Sequence, residues 1–207
     1  MKYFWIFFIF VLVLASGCAP RYSEVRVSGE ETVAVAEFSQ PVHKWQLINN
    51  QVILDRNMVD EKVLEGLDSY LQKLLDQGPY KVAGPELVKD CASLEESRKT
   101  PGAAFHYWLR VGRCVPADYI LVPFLFDWRE RIGGEMGVEE PARVTLELNL
   151  IKISEIKLDR FILDERQMSL SEDLLGVGRF FKRGGKWISA ESLAREGLER
   201  GVRELGL

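Results

Sequence analysis

The feature that most constrains this chain is an apolar run that ends abruptly at a cysteine. Residues Tyr3 to Gly17 are apolar except for Ser16, and Lys2 is the only charge before them. As a helix the run spans roughly 22 Å at about 1.5 Å per residue. A bilayer core is about 30 Å thick, so the run is short for a membrane span. It has the length of the apolar region of a secretory signal. Ala15, Ser16 and Gly17 then supply small side chains immediately before Cys18.

The stretch LVLASGCAP, Leu12 to Pro20, resembles the lipobox of bacterial lipoproteins. The resemblance implies that the Cys18 thiol receives diacylglycerol and that residues 1–17 are removed. Ala15 and the single Lys2 depart slightly from that pattern. Acyl chains contribute about 0.8 kcal/mol per buried CH₂, so two or more hold a protein stably at a membrane. The resemblance also implies a domain facing the periplasm, and Ala19 after the cysteine favours the outer membrane. The alternative is an uncleaved signal anchor with an incidental Cys18.

Cleavage after Gly17 shortens the chain from 207 to 190 residues and removes only Lys2, taking the net charge from −4 to −5. A mildly acidic chain argues against a sequence-independent nucleic-acid binder, which needs a basic face. Residues 18–31 are mostly polar without a clear period and read as a lipidated tether. Residues 32–207 suit one domain with a sizeable core.

Three cysteines are present. With Cys18 lipidated, Cys91 and Cys114 remain as an even pair in an oxidising compartment, and we expect a disulfide. It would close a loop of about two dozen residues. Two buried free thiols are the alternative.

The pattern predicts a buried strand over 32–38 and an irregular stretch over 39–56. A helix follows, capped by Asn57, with Val63, Leu67, Tyr70, Leu71, Leu74 and Leu75 on one face and a stop at Gly78–Pro79. A short strand covers 80–83. Helices begin at Pro85 and span 103–114. A long strand over 117–131 is expected to place Ile120, Val122, Phe124, Phe126 and Trp128 on one face. Pro123 within it predicts an edge position or a bulge there.

A strand over 142–153 alternates Val144, Leu146, Leu148 and Leu150 inward with Thr145, Glu147 and Asn149 outward. The intervening 132–141 reads as a mobile hairpin loop. A third strand covers 160–167, a helix 169–181 starts at Ser169 or Ser171, and Ser189 caps a last helix. This order predicts an α/β domain, with α+β as the alternative, built on a mixed sheet of about five strands with helices packed on it. The crossover rule makes the first two strands parallel neighbours, or nearly so.

The segments VAVAEF, LQKLLDQGPYKV, PADYILV, WRERIGG, PARVTLELNLI, DERQMSLSEDL and RGGKWISAESLAREGL together resemble a group of envelope lipoproteins. Their domain is similar to the TolB N-terminal domain and to CsgG-like curli-secretion and penicillin-binding-protein-activator lipoproteins. The likeness covers most of 32–205, and its motifs are structural rather than catalytic. Curli-secretion subunits carry long amphipathic hairpins that build a membrane barrel. Here Arg129, Glu130, Arg131, Glu135, Glu139 and Glu140 crowd the hairpin tip, which a lipid-facing band would exclude.

Catalytic constellations are thin. The two histidines, His43 and His106, have no metal-pair spacing. No Ser sits in a nucleophile elbow, and the glycines of 176–185 follow no strand, so no cofactor is expected. Asp164 and Glu165 point to opposite faces of a strand and read as ion-pair partners of Arg166 or Arg160. Lys182, Arg183 and Lys186 in 179–187 either meet anionic headgroups or form a solvated turn with Phe180 and Trp187 packed inward.

The loop 39–56 carries Trp45, Leu47, Ile48, Val52, Ile53 and Leu54. With the 132–141 loop it is the candidate partner surface, centred on Trp45, Leu47, Ile48, Arg131, Glu135 and Met136. The alternative is a further element closing the core. The expected function is a non-enzymatic, lipid-anchored binding or assembly module with an envelope protein partner. A subunit of an oligomeric secretion or transport complex is the second reading.

Overall fold

The computed structural model describes residues 26–49, 58–100, 102–167 and 183–207. The signal run, Cys18, Asn57, Val52 to Leu54, the helix expected over 169–181, Phe180 and Lys182 lie outside them. Among the described residues no helix is long and apolar enough to cross a membrane.

The sheet starts with β1, Thr32–Val35, a β-branched segment whose Val33 and Ala34 are fully buried. Helix α1, Glu61–Leu75, follows, then β2, Lys81–Ala83. Two helices come next: α2, Pro85–Leu94, and α3, Ala103–Cys114. The long strand β3, Tyr119–Arg129, leads to a small hairpin of β4, Ile132–Gly133, and β5, Val138–Glu140. Strands β6, Arg143–Lys152, and β7, Lys157–Arg166, complete the sheet, and α4, Ala190–Glu204, closes the chain.

The sheet order is β2-β1-β3-β6-β7. β1 runs parallel to both β2 and β3, and β6 and β7 continue as antiparallel neighbours. The domain is therefore a single α/β unit on a mixed five-stranded sheet with four helices packed on it. β2 and β3 flank β1 on opposite sides. Right-handed crossovers consequently send α1 to one face and α2–α3 to the other. α1 and α4 share the first face with Leu121, Leu125, Leu146 and Leu148. α2 and α3 share the second with Ile120, Val122 and Phe124.

Several sequence expectations need correction. The α1 cap is Asp60, whose carboxylate accepts from the Lys62 N–H at 3.0 Å. Pro123 lies in a central strand. The β1 ladder lapses after Val35 and resumes only where Ser39 bridges Phe124, so the missing proline donor falls at a gap. The bulge sits instead between Leu125 and Asp127. That extra residue reverses the alternation, so Trp128 packs on the first face, opposite Phe124 and Phe126.

Glu147 and Asn149 are buried, 4% and 0% exposed, because the sheet is covered on its second face as well. The Asn149 amide donates to the Val122 carbonyl at 3.3 Å. Burial pushes the Glu147 carboxyl up, against the pull of Arg160 at 3.8 Å. The last strand begins at Lys157, earlier than its pattern suggests, after a turn in which Ile156 adopts φ 54°.

Candidate functional site

The β1 ladder ends at Val35 while its neighbour β3 runs on to Arg129, which leaves a crevice beside β3 beyond the end of β1. The chain leaving β1 fills part of it. Ser39 returns to β3, accepting from Leu125 N–H at 3.0 Å. A short 3₁₀ turn over Lys44–Gln46 then packs toward α3. The Gln46 side-chain oxygen accepts from the Val42 and His43 N–H groups, each at 2.8 Å, which fixes the turn. Trp45 stacks on His43 with ring centroids 5.5 Å apart.

Leu47 and Ile48 turn inward, 3% and 7% exposed, and join the core beside Ile120 and Val122. This corrects their place in the candidate surface: the chain leaving the 3₁₀ turn buries both in the second-face core, while Trp45 stays half-buried. Trp45 lines a cavity of about 240 Å³ with Tyr107, Trp108 and Phe124. The Tyr107 hydroxyl donates to the Ala92 carbonyl at 3.1 Å and sets the ring. Helical spacing alone does not show that Tyr107 and Trp108 face a crevice.

A second cavity, about 630 Å³, lies along α3 and is lined by Arg98, His106, Arg110 and Arg113. Arg110 is partly neutralised by Glu95 at 2.7 Å. Its guanidinium also donates to the Glu96 carbonyl at 2.9 Å.

The 132–141 segment is a pinned hairpin rather than a free loop. The Arg131 guanidinium donates to the Trp187 carbonyl, and the Trp187 N–H donates to the Glu135 carbonyl at 2.9 Å. Lys186 pairs with the Glu135 carboxylate at 2.9 Å and holds that carboxyl below its ordinary range. At the tip Met136 is 85% exposed, and Ile132 is 50% exposed. Arg131 and Glu135 thus meet the 183–188 segment, Met136 stands out from the hairpin tip, and Trp45 belongs to the crevice beside α3.

Arg183 is turned inward to Glu165 and Glu196. Asp164 and Glu165 do occupy opposite faces, but their partners are Arg143 and Arg183 rather than Arg160 or Arg166. Cys91 and Cys114 form a disulfide. Among the described residues no group of three or more His, Cys, Asp or Glu is placed to hold a metal ion.

These features define a three-layer α/β domain with a crevice at its strand ends and a pinned, exposed hairpin. No family model matches the chain, and no curated protein matches it. Among solved structures it is similar to the PelC dodecamer from Paraburkholderia phytofirmans, at 14% identity and TM-score 0.49, over 89% of this chain and 93% of that one. It is similar to lipoprotein GNA1162 from Neisseria meningitidis at 12% identity and TM-score 0.38, over 75% and 98% of the two chains. The LpoB C-terminal domain from Escherichia coli matches at 10% identity and TM-score 0.37, over 67% and 83%. Likeness at this level assigns no activity.

Proposed function

We propose that this protein is a lipid-anchored, non-enzymatic binding or assembly module of the bacterial envelope. In this reading Cys18 carries the lipid, residues 18–31 form the tether, and the domain faces the periplasm from the outer membrane. The lipobox-like LVLASGCAP supports the anchor. The Cys91–Cys114 disulfide suits an oxidising compartment.

The observation that carries the docking role is the hairpin. It is held in place by Arg131 and by the Glu135–Lys186 pair, yet it presents Met136 and Ile132 to solvent. An ordered apolar tip with a charged rim has the composition of a protein-docking surface, because its order is already in place before binding. The partner surface comprises Arg131, Glu135 and Met136, with Trp45 as a separate contact.

The test is in-cell photocrosslinking of the full chain, with a photoreactive residue replacing Met136, beside a Cys18→Ser variant. A reproducible crosslink to a different envelope protein, weakened by Glu135→Lys, supports the reading. Self-crosslinks alone would move the assignment to a subunit of an oligomeric secretion or transport complex. Unchanged membrane fractionation of Cys18→Ser would remove the lipid anchor.

A further inference from the structure

The crevice beside α3 has a chemistry of its own. Its walls are the rings of Trp45, Tyr107, Trp108 and Phe124, and among the described residues no charged one lines it. Its polar lining residues, among those described, are Ser39, Gln46 and Ser97. The Gln46 oxygen already accepts two backbone N–H groups, which leaves its Nε2 as the donor end. At about 240 Å³ the cavity is smaller than the roughly 300–1,000 Å³ of drug-sized ligand sites, so it suits one ring.

Ring faces for stacking, with hydroxyl and amide groups at the edge, match a pyranose. Its C–H faces lie on aromatic rings while its hydroxyls meet polar groups. An aliphatic peptide side chain would leave those polar groups unanswered. The arginine-lined cavity is adjacent along α3: Ser97 and Arg98 are consecutive, as are Ala103 and Ala104, and each pair is split between the two. A cluster of Arg98, Arg110 and Arg113 in a chain of net charge −4 is a local reversal of sign. Arginine recognises carboxylates through its planar fork.

We propose that the crevice is a saccharide subsite, which stacks one pyranose ring of an acidic glycan on Trp45 and Trp108 while the arginine groove receives its carboxylate. The inference rests on the periplasmic placement proposed above but not on the hairpin or its protein partner.

The test uses the full-length protein in detergent micelles and two probes. One is the acidic disaccharide of N-acetylglucosamine and N-acetylmuramic acid; the other is neutral diacetylchitobiose. Ligand-observed NMR and tryptophan fluorescence report binding. Both sugars should bind, the acidic one about fivefold more tightly. Trp45→Ala should weaken both about tenfold, and Trp45→Phe should retain part of the stacking. Arg98→Gln with Arg113→Gln should erase the acidic preference and leave neutral binding unchanged. The proposal is overturned if neither sugar gives a signal, or if Trp45→Ala binds like wild type. Occupation of the crevice by a proline-rich peptide that neither sugar displaces would also overturn it. The Met136 crosslink is read separately, so failure here leaves the docking proposal standing.

Discussion

Arg183 donates through one guanidinium nitrogen to both Glu165 and Glu196, each at 2.6 Å, from a side chain only 9% exposed. The contact ties the turn before α4, and α4 through Glu196, to β7. Without the cation, among the described residues Glu165 keeps Arg200 alone, at 4.0 Å. Breaking a buried pair by removing one partner costs more than the pair itself contributes, because a charge is left uncompensated. Arg183→Met should therefore destabilise the domain by about 2 kcal/mol, lowering the thermal midpoint by roughly 4–8 °C. Arg183→Lys should recover only part of this, since an ammonium offers one nitrogen where the guanidinium uses both Nε and Nη2.

The disulfide joins α2 to the end of α3 across a sequence separation of 23. Closing a loop of that size contributes about 3 kcal/mol, mainly through the unfolded chain. Replacing Cys91 and Cys114 together by Ala should lower the midpoint by roughly 6–12 °C without changing the circular dichroism of the folded state. Cys91 is buried and Cys114 exposed, so in the reduced wild type Cys114 should alkylate in the folded state and Cys91 only on unfolding.

Gly197 of α4 faces Leu163 so closely that a Cβ would sit 2.4 Å from its Cδ2 atom. Leu163 is 1% exposed and has no room to retreat. Gly197→Ala gains about 1 kcal/mol in helix propensity but overpacks the interface by about 1–3 kcal/mol. The net should be destabilising by about 1 kcal/mol, read from urea midpoints. Gly66 of α1 is the control. A Cβ there meets nothing within 4 Å, so Gly66→Ala should stabilise by up to about 1 kcal/mol.

Periodicity carried much of this fold and little of its functional surface. The stripe from Val63 to Leu75 specifies α1, and the crossover rule specifies the parallel β1–β2 pairing. The bulge between Leu125 and Asp127 escaped because period-two reading assumes an unbroken ladder, and it carried Trp128 to the other face. Leu47 and Ile48 are apolar residues in an irregular segment, a pattern equally suited to a docking surface and to a core plug. Order in the hairpin depends on Lys186 and Trp187, which are distant in sequence from Glu135. The crevice needs three separate segments to bring Trp45, Trp108 and Phe124 together, and local spacing records none of that.

Asp68 accepts the Phe38 N–H at 2.7 Å just beyond β1. Burial pushes its carboxyl from 3.8 up to about 6, with Glu37 and Glu65 adding to the rise and the Phe38 bond opposing it. Glu37 is itself partly answered by Lys89 at 3.7 Å. The folded state therefore holds this proton more tightly than the unfolded chain does. That contribution is fully present below about pH 3.8, fades as the pH rises to about 6, and is absent above it. Asp68→Asn keeps an oxygen for the Phe38 N–H and removes the ionisation. At pH 7 the variant should be more stable than wild type by about 1 kcal/mol, after screening at this half-exposed site. The gain should shrink toward zero as the pH falls below about 4. Denaturant midpoints of both proteins between these limits check the sign; a gain independent of pH would place the effect outside the Asp68 proton.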